Sequence, residues 1–313
     1  MNYKIDFENQ KSTRQSYGET LVELGKDNKD IVVLDADLSN ATKTNLFAKE
    51  FPERFFNMGI AEQDMIGTSA GFATCGKIPF ASSFAVFLVG RAYDQIRNSI
   101  CYPNLNVKLC ATHSGITVGE DGATHQMLED INIMRGLPNM KIICPSDEIE
   151  TKWAINEALK ISGPVYIRLG RANTPMIYDN NSKFEFGKGI EFGDGADGTI
   201  FATGITLVEA LIAKEKLEKE GIMIRVVDIH TIKPIDKELI IKCAKETDKL
   251  VSIEEHSTIG GLGTAISDVL CECYPKKLIK LGINDVFGKS GNSKELIKYY
   301  KLTNEDIIKV FKE

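Results

Sequence analysis

Several things are scarce in this 313-residue sequence, and each scarcity excludes a class of protein. No apolar run is long enough for a bilayer. The best candidate, Ile78–Gly90 (IPFASSFAVFLVG), offers 13 uncharged residues against the ~20 a membrane helix needs. The N-terminal MNYKIDFENQKSTR has no apolar signal core. Basic residues are not in excess: 38 Lys and Arg face 44 Asp and Glu, a net charge of -6, which argues against a dedicated nucleic-acid binder. An anionic substrate remains compatible, because local charge can oppose the global sign. The seven cysteines are scattered. The nearest pair, Cys271 and Cys273, has no second cluster to complete a metal site. These features predict reduced thiols and a cytoplasmic protein. With 43% apolar and 26% charged residues, composition is that of an ordinary globular chain, not a disordered or collagen-like one.

What is present is alternation. Strand candidates are Ile31–Ala36 (IVVLDA), Ile78–Ser82, Asn106–Ala111, Met140–Cys144 and Val165–Leu169, with helix candidates Ala61–Cys75, Val86–Cys101 and Glu148–Lys160 among them. Short strands alternating with helices predict parallel pairing and right-handed crossovers. A strand such as IVVLDA is apolar nearly throughout, as a sheet covered on both faces requires. From Arg171 to Gly198 the texture turns to Gly, Asn and Asp with no sustained period, which places a linker at about residues 173–197. The alternation then restarts with strands Thr199–Ala202, Met223–Val227, Lys249–Ile253 and Lys277–Leu281. Helices Ile205–Glu220, Lys237–Thr247 and Gly261–Cys273 lie between them, and Ser293–Tyr300 and Asn304–Lys312 close the chain, the last capped by Thr303. The reading is α/β with two doubly wound domains, residues 1–175 and 190–313.

Four stretches carry candidate chemistry. GDGADG (193–198) reads as a turn before a strand. GGLG (260–263) before a helix could cradle a phosphate on free N–H groups or permit close helix–sheet packing. In FFNMGIAEQDMIGTSAGFA (55–73), Glu62 falls in the first turn of a helix whose Gly67, Ser69, Ala70, Gly71 and Ala73 call for a closely packed neighbour. Glu62 either complements the helix dipole or, desolvated at that seam, shares a proton with a ligand nitrogen. In SSFAVFLVGRAYDQIR (82–97), Phe84 and Phe87 share one face if the segment is helical, ordinarily a core pair. THSGITVGEDGATHQ (112–126) gathers His113, Asp121 and His125 in a loop after a strand, where parallel sheets bind ligands. Their spacing fits no standard metal pattern, which leaves a hydrogen-bonding polar site as the better reading.

GIAEQDMIGTSAGFA, SSFAVFLVGRAYDQIR and GEDGATHQ, in this order and spacing, resemble the transketolase family. FATGITLVEAL, DIHTIKPID and EEHSTIGGLG extend the resemblance over nearly the whole chain. The family's diphosphate-binding domain, with its Gly-Asp-Gly…Asn motif, does not precede these segments. The sequence therefore resembles the C-terminal subunit of a split transketolase, a pyrimidine-binding domain followed by a transketolase C-terminal domain. The resemblance implies thiamine diphosphate as cofactor, with Mg²⁺ ligated mainly by an N-terminal partner subunit in an α2β2 heterotetramer. It implies that Glu62 bonds the aminopyrimidine nitrogen and that Phe87, with Phe84, stacks on that ring. Asp37 would lie near the cofactor. His113, Asp121 and His125 would contact the sugar, with His113 and His125 among the catalytic groups and His125 assisting proton transfer. Arg14, Ser39 and Arg171 would hold the substrate phosphate, a role guanidinium forks suit. No resident metal is expected on this chain's own residues. The implied reaction is transfer of a two-carbon ketol unit from a ketose phosphate to an aldose phosphate. The alternatives are the beta subunit of a 2-oxo-acid dehydrogenase decarboxylase, and a non-catalytic binding or regulatory protein.

Overall fold

A computed structural model describes residues 3–313. Its first half contains β1 (Asp6–Ser12), β2 (Ile31–Asp35), β3 (Phe55–Asn57), β4 (Ile78–Phe84), β5 (Lys108–Thr112), β6 (Lys141–Ile143), β7 (Val165–Arg168) and β8 (Asn173–Met176). Its second half contains β9 (Ile190–Phe192), β10 (Gly198–Ala202), β11 (Ile224–Asp228), β12 (Thr231–Lys233), β13 (Lys249–Ser257) and β14 (Leu278–Ile283). The first sheet runs β12-β6-β7-β5-β4-β2-β3 and the second β14-β13-β10-β11-β9. All pairs within them are parallel except those of the edge strands β12 and β9. Every residue of β2, β5, β7, β10 and β11 is buried, so both faces of each sheet are covered, as the unbroken apolar runs require. Both doubly wound units are present, and none of the helices among the described residues is long and apolar enough to cross a membrane.

Two expectations need correction. The segment Val86–Cys101 is not one helix. It comprises Ala85–Arg91, a turn at Tyr93–Gln95 and a wide π turn at Ile96–Cys101, broken at Ala92, whose φ of -107° and ψ of 20° are not helical. The linker begins later than its composition suggests. β8 pairs antiparallel with β1 in a separate two-stranded ribbon, and Ile177 and Tyr178 are buried beyond it. The two halves are also not independent in their sheets: β12, from the second half, adds the last strand to the first sheet beside β6. The helix Asn304–Lys312 ends the chain as read, with Thr303 and Asp306 forming a reciprocal capping box.

Candidate active site

The site grows from the C-terminal ends of β4 and β5, which lie side by side. β4 ends at Phe84, whose backbone is still extended, and the helix Ala85–Arg91 starts at once. Phe84 and Phe87 thus do not share a helix, yet their rings lie 5.8 Å apart and 13° from parallel. The imidazole of His113, just past β5, stacks on Phe84 at 3.6 Å between centroids. Phe84 is thereby buried. Phe87 stays half-buried, with the His125 ring edge-on at 5.4 Å and the Arg91 guanidinium 4.2 Å over its face.

His113 is held in a left-handed conformation, φ 56°. Its Nδ1 lies 2.9 Å from Thr112 Oγ1 and its Nε2 3.2 Å from Arg14 Nη1. Arginine has only donors, so Nε2 accepts and the proton sits on Nδ1. Burial, reinforced by the charges of Arg14 and Arg171, pushes the His113 pKa down to about 3. The ring is neutral at physiological pH.

Arg14 is the second residue of the helix Thr13–Asp27. It donates to the Ala41 carbonyl at 2.9 Å, which ties it to the short helix Ser39–Thr42. That turn hangs on the buried Asp35, whose carboxylate accepts from Leu38 N, Thr42 Oγ1 and Thr44 Oγ1 at 2.6, 2.6 and 2.9 Å. Ser39 is half-buried on this turn. Asp37 is exposed, accepts from Asn57 at 3.1 Å and has no hydrogen bond or ion pair with the other candidates among the described residues. Arg171 donates to Val118 O, lies 3.2 Å from Glu120 and 3.8 Å from Asp121. His125 is half-buried, with Nδ1 2.9 Å from Thr124 Oγ1.

Glu62 opens the helix Glu62–Thr74 and is only 3% exposed. Both its oxygens receive Arg91 Nη1, at 3.1 and 3.3 Å. It forms one wall of an open concavity of about 510 Å³, lined also by Ile60, Ala61, Gln63, Asp64 and Arg91. The small residues of this helix divide. Ser69 and Ala70 face the core, whereas a Cβ on Gly67 or Gly71 would meet nothing within 4 Å. None of this chain's described residues supplies the close neighbour expected there.

The structure therefore joins Arg14, His113, Phe84, Phe87, His125, Arg91 and Glu62 by direct contacts. Arg171, between β7 and β8, pairs with Asp121 of the loop that carries the histidines. Arg91 was readable as a cation four residues after Phe87 on one helix face and was overlooked. The glycine motifs resolve as structure. GDGADG turns the chain between β9 and β10. At GGLG the Glu254 carboxylate takes Leu262 N and Gly263 N at 2.6 and 2.8 Å, filling the helix N-terminus. A Cβ on Gly263 would lie 2.7 Å from Ser252 Oγ, so the packing reading holds.

The transketolase pyrimidine-binding domain family matches residues 9–176, and the transketolase C-terminal domain family matches residues 187–307. The chain belongs to the transketolase family. It is 56% identical over 302 residues to a "Putative transketolase C-terminal section" from Methanocaldococcus jannaschii, covering 96% of this chain and 95% of that one. It is 38% identical over 315 residues to the transketolase of Rattus norvegicus, covering 99% of this chain but 50% of that one, so it spans about half of such single-chain relatives. A solved structure described as "Split gene transketolase, inactive beta4 tetramer" superposes with a TM-score of 0.90 at 53% identity, over 96% of this chain and 97% of that one. These matches favour the transketolase reading over the oxo-acid decarboxylase and the non-catalytic alternatives.

Proposed function

We propose that this chain is the C-terminal subunit of a thiamine-diphosphate-dependent transketolase, moving a two-carbon ketol unit from a ketose phosphate to an aldose phosphate. The observation that carries this reading is the contact chain from Glu62 to His113 and Arg14, set beside an open concavity. An aminopyrimidine needs an acceptor for its ring N–H and an aromatic face. Glu62 and Phe87 offer both, and Arg91 currently rests on the two of them. The residues fit the cofactor provided the half-exposed Arg91 side chain swings aside. Mg²⁺ and the diphosphate would be held mainly by an N-terminal partner subunit.

When bound, the cofactor supplies the nucleophilic carbon and the electron sink. This chain does the rest. Glu62 holds or shares the proton at the pyrimidine nitrogen. Neutral His113 accepts from a sugar hydroxyl at Nε2 when Arg14 turns from it to the phosphate, and His125 moves a proton to or from substrate oxygen. Asp121 accepts from a hydroxyl, and Arg14 and Arg171, with Ser39, receive the phosphate. We assign the pyrimidine-binding domain to residues 1–175 and the C-terminal domain to 190–313. An α2β2 assembly in the cytoplasm, acting on pentose phosphates, completes the reading. The relative described as an inactive tetramer of its beta chain supports the need for a partner.

The test mixes purified chain with the candidate N-terminal subunit, thiamine diphosphate and Mg²⁺ and measures ketol transfer. Turnover by this chain alone overturns the partner requirement. Glu62→Ala in the complex should lower turnover by about 100- to 10,000-fold, and unchanged turnover overturns the catalytic role.

A further inference from the structure

We infer that Glu255, from the second domain, is a positioning residue that clamps the histidine loop of the first domain in its substrate-binding pose. The inference rests on the transketolase reading of His113, Asp121 and His125, and adds a role for a domain that supplies none of those groups. The loop between β5 and the helix Asp130–Arg135 is braced by the second domain at several points. Glu255 Oε1 accepts from Thr117 N at 2.5 Å, and Ser293 Oγ donates to Thr117 O at 3.0 Å. Gln126 Nε2 donates to Lys289 O at 2.9 Å, and Ser257 N donates to Leu128 O at 2.7 Å. These anchors bracket Asp121 and His125 on both sides in sequence.

Glu255 is the one anchor with a carboxylate pressed into the loop's root. A Cβ on Gly115, φ 78°, would lie 2.3 Å from its carboxyl carbon, so the glycine there is what admits it. The carboxylate is buried with Arg168 of β7 and Asp130 of the following helix as charged neighbours, while Glu254 and His256 flank it on β13. Burial pushes its pKa up to about 7, against the pull of Arg168 and the Thr117 N–H. Above that pH the ionised oxygen makes the stronger, charge-assisted bond. Below it the carboxyl is protonated and the grip on Thr117 weakens.

The test uses the complex with the N-terminal subunit. Glu255→Ala should raise the donor-sugar KM by about 10- to 100-fold with kcat less affected and thiamine diphosphate affinity unchanged, as expected when uniform substrate binding is lost. Glu255→Gln keeps an oxygen acceptor at every pH. Neutral like the protonated acid, it should show a KM between those of wild type and the alanine variant near pH 8, with none of the rise that wild type shows as pH falls below 7. If the alanine variant does not fold, the glutamine profile and Ser293→Ala carry the test. Hydrogen exchange on the chain gives a readout without activity: peptides over 113–128 should exchange faster in the alanine variant. Identical KM profiles in wild type and glutamine variant, or unchanged exchange, overturn the inference. A wild-type complex without ketol transfer refutes the functional reading instead, and the exchange result still decides the clamp.

Discussion

The first domain has two working faces, and they are finished to different degrees. The face toward the second domain is closed. Arg168 bonds Asp130 at 2.8 Å and the Glu255 carbonyl at 2.9 Å, all buried. Asp147 takes three backbone N–H groups, from Glu150, Ile177 and Tyr178, and Tyr178 donates to Asp228 at 2.5 Å. The opposite face is open. Gly67, Gly71 and Gly90 have nothing within 4 Å of a Cβ, Ile60 is 76% exposed, and the buried Glu62 is met by the solvent-lapped Arg91. On the closed face Arg168, Asp147 and Tyr178 are all bonded by residues of this chain. On the open face a buried carboxylate is met by one exposed guanidinium, and the helix glycines lie uncovered by the described residues.

Breaking the closed face should have the largest effect. Arg168→Met strands Asp130 as an uncompensated buried carboxylate and should destabilise the chain by about 3–5 kcal/mol, read as a lowered urea midpoint. A loss of under about 1 kcal/mol would mean that water reaches the seam. On the open face, Gly71→Leu should leave the chain's own melting temperature intact yet weaken association with the N-terminal subunit by about 10- to 100-fold. Normal assembly measured by sedimentation would place the partner elsewhere. Arg91→Gln should tighten thiamine diphosphate binding to the complex by about two- to fivefold, the worth of a solvent-screened ion pair. Fluorescence titration showing weaker binding would make Arg91 a cofactor contact instead of a competitor.

The smallest effect concerns pH. Glu150 and Asp228 meet across the seam, each with one buried oxygen lacking a drawn partner, an arrangement that one shared proton satisfies. Burial and the neighbouring carboxyls raise Glu150, and burial raises Asp228 to about 7. Raised folded-state values mean the native chain holds protons the unfolded chain has released. The pair's contribution to stability is therefore greatest at acid pH and lost as pH climbs from the ordinary carboxylate range through about 7. Glu150→Gln, whose amide can accept from Ser146 and donate to Asp228, should flatten the fall of melting temperature between pH 5 and 9. An unaltered slope would show that the pair does not set it.

Much of the fold is legible in the sequence. Runs such as IVVLD announce a strand covered on both sides, and GEDGATHQ concentrates too many hydrogen-bonding groups in one loop to be mere connection. Both readings depend on local composition. What escaped depends on partners distant in sequence. DFENQKS becomes β1 because β8 pairs with it, not because its own residues alternate. Glu255 sits in a strand that reads as core, and its use appears only when Gly115 lies against it. The broken helix at Ala92 is a failure of another kind: apolar spacing continues through a backbone that does not.

The ribbon of β1 and β8 has a practical side. β8 begins two residues after Arg171, so Asp6–Ser12 is stitched to the segment that presents this guanidinium. A purification handle fused at the N-terminus would pull on that stitching, whereas one fused at the C-terminus hangs from the helix Asn304–Lys312. The two preparations should not be treated as interchangeable when affinity for an anionic sugar is measured, and trimming the gene to start at Thr13 would unpick the seam altogether.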